Sequence, residues 1–375
     1  MGTKWGRKTF KAKATKAIED LGLRPIVIDI EDPVWLEEAK LVASVTGRQT
    51  VILSEDSGPE ASAQQERIRS VLGDGHPGRG GLILLVDRST PLCSVPGVRV
   101  HRVDLMEPNL AEGGSVDLAE MIGREDPLRI AVIGAHGGAG TSLFAAGLAA
   151  ALKDILARDA LLIDRDPHSQ GLATVLGIEN QPGWMADDVR ASVTEKELLQ
   201  NCQEIDGVQV LGRMGGGFVT CQRSEEHELP LHRLMNIIQR AVIVVDCGRT
   251  TPGSEVWEKQ WGAVIPDAVV VVSSLTVAGL AGAKDMGFAV EDAGLGDPMH
   301  VVRRVPYSAT TGAMAMVLLD TKPEAEWAFD DDLAFDLDRG ALNLRSTALH
   351  KASHAVGASI VASRAAETLE LGEAA

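Results

Sequence analysis

Nine residues in the middle of the chain have the composition and spacing of an anion-binding site. Residues 134–142 read Gly-Ala-His-Gly-Gly-Ala-Gly-Thr-Ser, directly after an apolar run and before an Ala/Leu-rich one. Glycines let backbone N–H groups approach a ligand closely, and a helix that begins after the turn adds the positive end of its dipole. The stretch therefore predicts a phosphate-binding site made of main-chain amides, which we call the glycine-rich loop.

This loop departs from the usual phosphate-binding motif G-x-x-x-x-G-K-[ST] at one position. Counted from Gly134, Gly140 and Ser142 fall where the second glycine and the hydroxyl belong, but Thr141 stands where the lysine belongs. That lysine normally brings a positive charge to the β- and γ-phosphates, whereas threonine is neutral. The predicted site therefore keeps the amides and loses one catalytic cation.

Aspartates follow two further apolar runs that predict buried strands. Asp164 and Asp166 belong to a D-x-D-P segment after Ala-Leu-Leu-Ile, and Asp246 follows Ala-Val-Ile-Val-Val. Ligands of open α/β sheets bind beyond the carboxyl ends of the strands. We therefore expect Asp246 and Ser142 to hold Mg²⁺, the aspartate through water. A strand-to-loop turn without chemistry is the alternative interpretation of D-x-D-P.

The elements that must position these residues alternate between strand and helix, which is typical of an α/β fold with a mainly parallel sheet and helices on both faces. A polar hinge with a proline at 124–128 separates them from a smaller α/β region. We therefore predict a smaller domain over 1–125 and a nucleotide-binding domain over 126–375. The predicted strands of the larger domain are 130–133, 160–163, 207–211, 241–246, 268–274 and 300–306.

The loop and the D-x-D-P segment resemble those of the MinD/ParA family of P-loop ATPases. The absent lysine is similar to the CpaE/TadZ branch and to actinobacterial septum-site-determining-like proteins. For residues 128–310 the resemblance implies bound ATP or ADP with Mg²⁺, Asp166 orienting the attacking water, Asp164 supporting it, and Arg303 and Pro306 near the adenine. The implied nucleotide contacts in the loop are His136, Gly137, Gly138, Ala139, Gly140, Thr141 and Ser142.

The same resemblance implies a homodimer that positions other machinery, either a Tad/Flp pilus or secretion system or the division site, with slow ATP hydrolysis or none. His136 aligns with a family lysine that reaches the partner's phosphates, and it either donates one hydrogen bond or fills the turn. Two alternatives remain open: a scaffold that binds no nucleotide, and a DNA-partitioning ATPase.

Composition bears on these alternatives. A formal net charge of −17 argues against strong nucleic-acid binding. Four scattered cysteines, with no apolar run long enough to span a membrane, lead us to expect a cytoplasmic protein, recruited to the pole or septum by partners, with at most indirect membrane contact. In the smaller domain, which resembles an atypical receiver, Asp87 is expected to be a strand-end residue and not a phosphorylation site. The basic residues between 4 and 16 predict a solvated segment.

Overall fold

The structure of the chain is a computed structural model. It divides into two compact units, residues 1–126 together with 361–375, and residues 127–360. The predictions for Asp87 and for residues 4–16 lie outside the described residues. The structure describes residues 26–30, 32–45, 50–52, 82–86, 100–104, 127–169, 171–190, 192–213, 231–238, 241–262, 264–340 and 342–373.

The described part of the first unit is a parallel four-stranded sheet with one helix. Its strand order is β2-β1-β3-β4. Helix α1 begins after Asp32, whose Oδ1 accepts hydrogen bonds from the N–H groups of Val34 (2.8 Å) and Trp35 (3.1 Å). The elements are β1 (Ile26–Asp29), α1 (Pro33–Val45), β2 (Thr50–Ile52), β3 (Leu82–Val86) and β4 (Val100–Asp104).

The second unit contains an eight-stranded sheet in the order β12-β11-β10-β5-β9-β6-β8-β7. Every strand pair in it is parallel except β7 with β8. The prediction of a mainly parallel α/β fold is confirmed. The strands are β5 (Arg129–Gly134), β6 (Ala160–Asp164), β7 (Gln203–Ile205), β8 (Val208–Leu211), β9 (Val242–Asp246), β10 (Ala268–Ser274), β11 (Met299–Arg303) and β12 (Ala325–Trp327).

Helices pack against this sheet, and the first of them, α2, follows the glycine-rich loop. Its residues from Leu143 to Leu152 are all buried, because alanine and glycine side chains let the helix approach the strands and its neighbours closely. The helices are α2 (Thr141–Leu156), α3 (Leu172–Leu176), α4 (Glu195–Asn201), α5 (Leu231–Ile237), α6 (Glu255–Trp261), α7 (Val277–Asp292), α8 (Gly312–Leu319), α9 (Asp331–Asp338) and α10 (Thr347–Glu373).

The central strands read as uninterrupted aliphatic runs because both faces of a parallel sheet are covered. Strand β10 is buried at all seven positions and β9 at all five. Strand β5 lies between them. The glycine-rich loop therefore leaves the sheet at its centre, with the carboxyl ends of β9 and β10 on either side.

The acidic stretch 320–340 contains a strand and a helix. It contains β12, which pairs with β11, and the helix α9. Trp327 on β12 is 2% exposed, while Phe329 two residues later is 46% exposed. The edge strand is thus part of the sheet that supports the loop.

Candidate functional site

The glycine-rich loop presents unpaired main-chain donors at the start of α2. Gly140 is the N-cap of α2 and no side chain caps this end. The N–H groups of Gly138, Gly140, Thr141 and Ser142 donate no hydrogen bond to any described residue. Unpaired N–H groups at a helix N-terminus carry partial positive charge and bind anions. The loop therefore has the donor set of a phosphate site.

Gly140 is glycine for two separate reasons. Its φ of +95° is in the left-handed region that other residues rarely adopt. A Cβ added there would also lie 2.9 Å from Cζ3 of Trp327, inside normal contact distance. Phe144 on α2 packs on the same indole, with ring centroids 6.0 Å apart. The Trp327 ring therefore supports the underside of the loop.

Thr141, at the lysine position, has its hydroxyl against Gly134. A Cβ added at Gly134 would lie only 2.3 Å from Thr141 Oγ1, so the hydroxyl packs on the Cα of Gly134. Thr141 itself is 9% exposed. This side chain is therefore part of the packing of the loop, and it brings neither charge nor reach to a bound phosphate.

Two buried carboxyls face each other beside the loop. Asp164 at the end of β6 and Asp246 at the end of β9 are register partners, and both are 0% exposed. Burial raises the pKa of Asp164 from 3.8 to about 6. Burial, followed by repulsion from Asp164, raises the pKa of Asp246 from 3.8 to about 7. Both carboxyls therefore ionise less readily than exposed aspartates do.

The two carboxyls differ in their hydrogen bonds. Both oxygens of Asp164 accept backbone N–H groups, Oδ1 from Asp166 (3.1 Å) and Oδ2 from Leu172 (2.7 Å). Asp246 Oδ1 accepts from Gly248 N–H (3.1 Å), whereas its Oδ2 has no hydrogen-bond partner at normal distance among the described residues. Thus one buried carboxylate oxygen is left for a ligand.

Ser142 lies beside Asp246. Its hydroxyl is close enough to Asp246 to lower that carboxyl's pKa against the effect of burial. Across the described residues, no group of three or more His, Cys, Asp or Glu side chains is arranged to hold a metal. Mg²⁺ in nucleotide sites takes few protein ligands and completes its shell with phosphate and water. Ser142 and the free oxygen of Asp246 fit such an ion.

Asp166 lies at the edge of this acidic group. Its Oδ1 accepts from the N–H of His168 (2.8 Å). A Cβ added at Gly248 would lie 2.0 Å from Asp166 Cγ, so the carboxylate lies directly against the backbone that follows β9. Asp166 is half-buried, whereas Asp164 and Asp246 are fully buried. Of the three acids, Asp166 is the one that water can reach.

His136 uses both ring nitrogens within its own chain. Nε2 accepts the N–H of Ser274 at 3.0 Å, and Nδ1 lies 2.8 Å from the carbonyl oxygen of Gly137. Because a backbone N–H can only donate, Nε2 has no proton, and Nδ1 donates to the carbonyl. His136 thus ties the loop to the end of β10.

Arg303 is placed at the loop by strand β11. Its Nη2 donates to the carbonyl oxygen of Gly138 at 2.8 Å, and its guanidinium lies over the Trp327 ring at 5.6 Å. Pro306, three residues further on, is exposed in a turn. The structure thus places Arg303 against the glycine-rich loop, in contact with Gly138 and Trp327.

Sequence reasoning missed two residues that the fold brings to this site. Arg249 follows β9, and a Cβ added at Gly137 would lie 3.8 Å from its Nη1. Trp327 lies in an acidic stretch of the sequence that contains no apolar run long enough to predict a strand. Arg249 could have been noticed as a basic residue three positions after a strand-end aspartate, whereas nothing in the sequence pointed to Trp327.

Comparison with solved structures gives the class of fold. The chain aligns with a ParA family ATPase from Chlorobium tepidum TLS at a TM-score of 0.50, with 16% identity, over 62% of this chain and 98% of that one. It aligns with the septum site-determining protein MinD of Pyrococcus horikoshii, a complex with Mg-ADP, at a TM-score of 0.47, with 17% identity, over 61% and 94%. At 16% identity, the first alignment supports a shared fold, that of a MinD/ParA-like P-loop NTPase, and no more.

Sequence comparisons add relatives without a described activity. The chain is 34% identical over 142 residues to an uncharacterized protein of Mycobacterium tuberculosis found in two strains, covering 31% of this chain and 37% of the relative. The chain therefore spans little more than a third of the length of these curated relatives. No protein-family model matches it.

Proposed function

We propose that this protein is a spatial-positioning protein that binds ATP, or ADP after turnover, together with Mg²⁺ at the glycine-rich loop. The observation that carries the proposal is that hydrogen-bond donors without acceptors and a carboxylate oxygen without a donor lie next to each other. The unpaired amides of Gly138, Gly140, Thr141 and Ser142 lie together at the start of α2, and beside them a buried oxygen of Asp246 has no hydrogen-bond partner among the described residues. A polyphosphate with its magnesium ion satisfies both.

In this proposal the chain's residues have distinct roles. The amides of residues 137–142 bind the phosphates, and Ser142 and Asp246 hold the ion. Asp166 orients a water molecule, because it is the acid that solvent reaches. Asp164 holds Asp166 in place by accepting a hydrogen bond from the backbone N–H of Asp166. The bound Mg²⁺ would neutralise charge on the phosphates.

Hydrolysis is slow or absent in this proposal, because the loop has no lysine. In other enzymes, removing one positioned hydrogen-bond donor that stabilises the charge of the transition state lowers the rate by about 10²–10³-fold. Thr141 cannot compensate, since its hydroxyl packs on Gly134. Nucleotide then acts chiefly as a ligand that controls assembly.

We further propose that the bound form is a homodimer of the CpaE/TadZ-like kind, which places a pilus, secretion or division machine at the pole or septum. The fold supports this coarsely, because it is shared with the ParA family ATPase. His136, with both ring nitrogens engaged inside the chain, fits the role of shaping the turn better than that of reaching a partner. No helix among the described residues has both the length and the apolar character needed to cross a bilayer.

Calorimetric titration of the full chain with ATP, ADP and AMP, each with and without Mg²⁺, tests the proposal. We expect one site per chain, tighter binding with Mg²⁺ for the two polyphosphates, and loss of the Mg²⁺ effect in Ser142→Ala. Sedimentation in the same buffers then asks whether ATP shifts monomer to dimer. Absence of binding at millimolar nucleotide would favour the scaffold alternative, and DNA retardation at moderate salt would favour the partitioning alternative.

A further inference from the structure

Two arginines from strands far apart in the chain lie at the loop whose own lysine is missing. Arg303 ends β11 and Arg249 follows β9, and these strands lie on opposite sides of β5 in the sheet. Both guanidinium groups lie near loop glycines, Arg303 at Gly138 and Arg249 at Gly137. Positive charge therefore reaches the loop from both flanks.

Arg303 is held there without an acidic partner. Among the described residues no carboxylate lies within ion-pair distance of it, and its buried Nε has no hydrogen-bond partner. Burial lowers the pKa of this guanidinium, which means that its charge is only partly solvated. A half-buried cation without a counter-ion is stabilised when an anion binds next to it.

The neighbouring arginine shows the ordinary arrangement. Arg304 is 56% exposed at its side chain and forms an ion pair with Glu326. Arg303, one residue earlier on the opposite side of the strand, faces the loop and stacks on Trp327. The two adjacent arginines thus differ in whether their charge is paired. Arg304 has a carboxylate partner, whereas Arg303 contacts only a carbonyl oxygen and an aromatic ring.

Arg249 approaches from the other side and is more exposed. Its Nη1 would lie 3.8 Å from a Cβ on Gly137, which has open space on its ligand side apart from this group. No ion pair joins Arg249 to a described acid. Its side chain is free to move the short distance to a bound anion.

We propose that Arg303 and Arg249 together replace the missing loop lysine, with Arg303 as the fixed cation on the phosphates and Arg249 as the adjustable one. The inference rests on the proposed nucleotide binding. Arg303 donates one N–H to Gly138, and its remaining Nη N–H groups are left for phosphate oxygens, which a guanidinium can bind in pairs. The site therefore selects polyphosphates over nucleoside monophosphates.

The test compares three variants with the wild-type chain by titration with Mg-ATP, Mg-ADP and AMP. Arg303→Gln and Arg249→Gln remove the two charges, and Arg304→Gln is the matched control on the same strand. A hydrogen bond to a charged group is worth about 1.5–3 kcal/mol, so we expect ATP affinity to fall by about tenfold to a hundredfold in Arg303→Gln. The fall should be smaller in Arg249→Gln and absent in Arg304→Gln.

Two comparisons distinguish a purely structural role of Arg303 from contact with phosphate. One compares AMP with ATP, and the other adds Thr141→Lys to the Arg303→Gln variant. If Arg303 only holds the loop, Arg303→Gln weakens AMP as much as ATP, and adding Thr141→Lys restores nothing. If it binds phosphate, AMP affinity changes little, and Thr141→Lys restores ATP binding to Arg303→Gln. Equal ATP affinity in wild type and both arginine variants overturns this inference alone, whereas a wild-type chain that binds no nucleotide overturns the proposed function.

Discussion

Replacing Asp246 with asparagine should stabilise the nucleotide-free protein while removing its magnesium response. Burial holds the pKa of Asp246 at about 7 against 3.8 in an exposed carboxyl. At 1.36 kcal/mol per pKa unit, keeping this group ionised at pH 8 costs about 4 kcal/mol of folding free energy. An asparagine at this position leaves its buried NH2 group without an acceptor, at a cost of about 1–3 kcal/mol, so we expect a net gain of about 2 kcal/mol in Asp246→Asn at pH 8.

The sign of the pH dependence follows from proton counting. Between about pH 4 and pH 7 the folded chain binds more protons than the unfolded chain at this position, so wild-type stability falls as pH rises. Asp246→Asn cannot ionise, so its advantage grows over that window and is constant above about pH 7. Urea unfolding at pH 5 and pH 8, followed by the near-ultraviolet signal of the stacked Trp257 and Trp261, measures it.

Asp164→Asn is the matched control, because the oxygens of Asp164 and Asp246 have different hydrogen-bond partners. Both accept a backbone N–H, so an amide at this position leaves one buried donor unpaired at a cost of about 1–3 kcal/mol. That loss offsets the relief of charge, and we expect no net gain at pH 8. An Asp246→Asn variant whose stability relative to wild type is the same at pH 5 and pH 8 would refute the reasoning.

Three further predictions concern the loop and its water. Gly140→Ala should lower the free energy of unfolding in urea by about 2–4 kcal/mol, because it adds a collision with Trp327 to the strain of positive φ. Gly138→Ala has open space around its Cβ and should lower it by only about 1 kcal/mol. Equal losses in the two variants would count against the role of the indole. Thr141→Lys should raise the steady-state rate of phosphate release by about 10²-fold, and an unchanged rate would mean that the missing lysine is not what limits hydrolysis. Asp166→Ala should lower that rate in Thr141→Lys without changing ATP affinity in calorimetry; a parallel loss of affinity would assign Asp166 to binding instead.

Local pattern was enough to predict the parts of the fold that depend on it. Residues 268–274 are seven consecutive small or aliphatic residues, and the observed β10 has the same bounds as the predicted strand. The two-stranded antiparallel pair β7–β8 was only half predicted, because β7 is three residues long and contains two polar ones. Short edge strands owe their existence to neighbours, which a single sequence does not display.

The candidate site divides in the same way. Asp164 and Asp246 could be expected near one another because each ends a parallel strand, and the structure places them as register partners. The approach of Arg249, Arg303 and Trp327 to the loop could not be expected, since it depends on which strands are neighbours and on side-chain direction. Pairing across about a hundred residues leaves no periodic signal in the sequence.

Hydrogen exchange of the loop amides tests the central claim most directly, because that claim is about main-chain N–H groups. In the full chain, the peptide spanning residues 136–144 should exchange more slowly with Mg-ATP than without nucleotide, and Arg304→Gln should behave like wild type. Saturating Mg-ATP that leaves exchange in this peptide unchanged would contradict the account, because the unpaired amides at the start of α2 would then bind no phosphate.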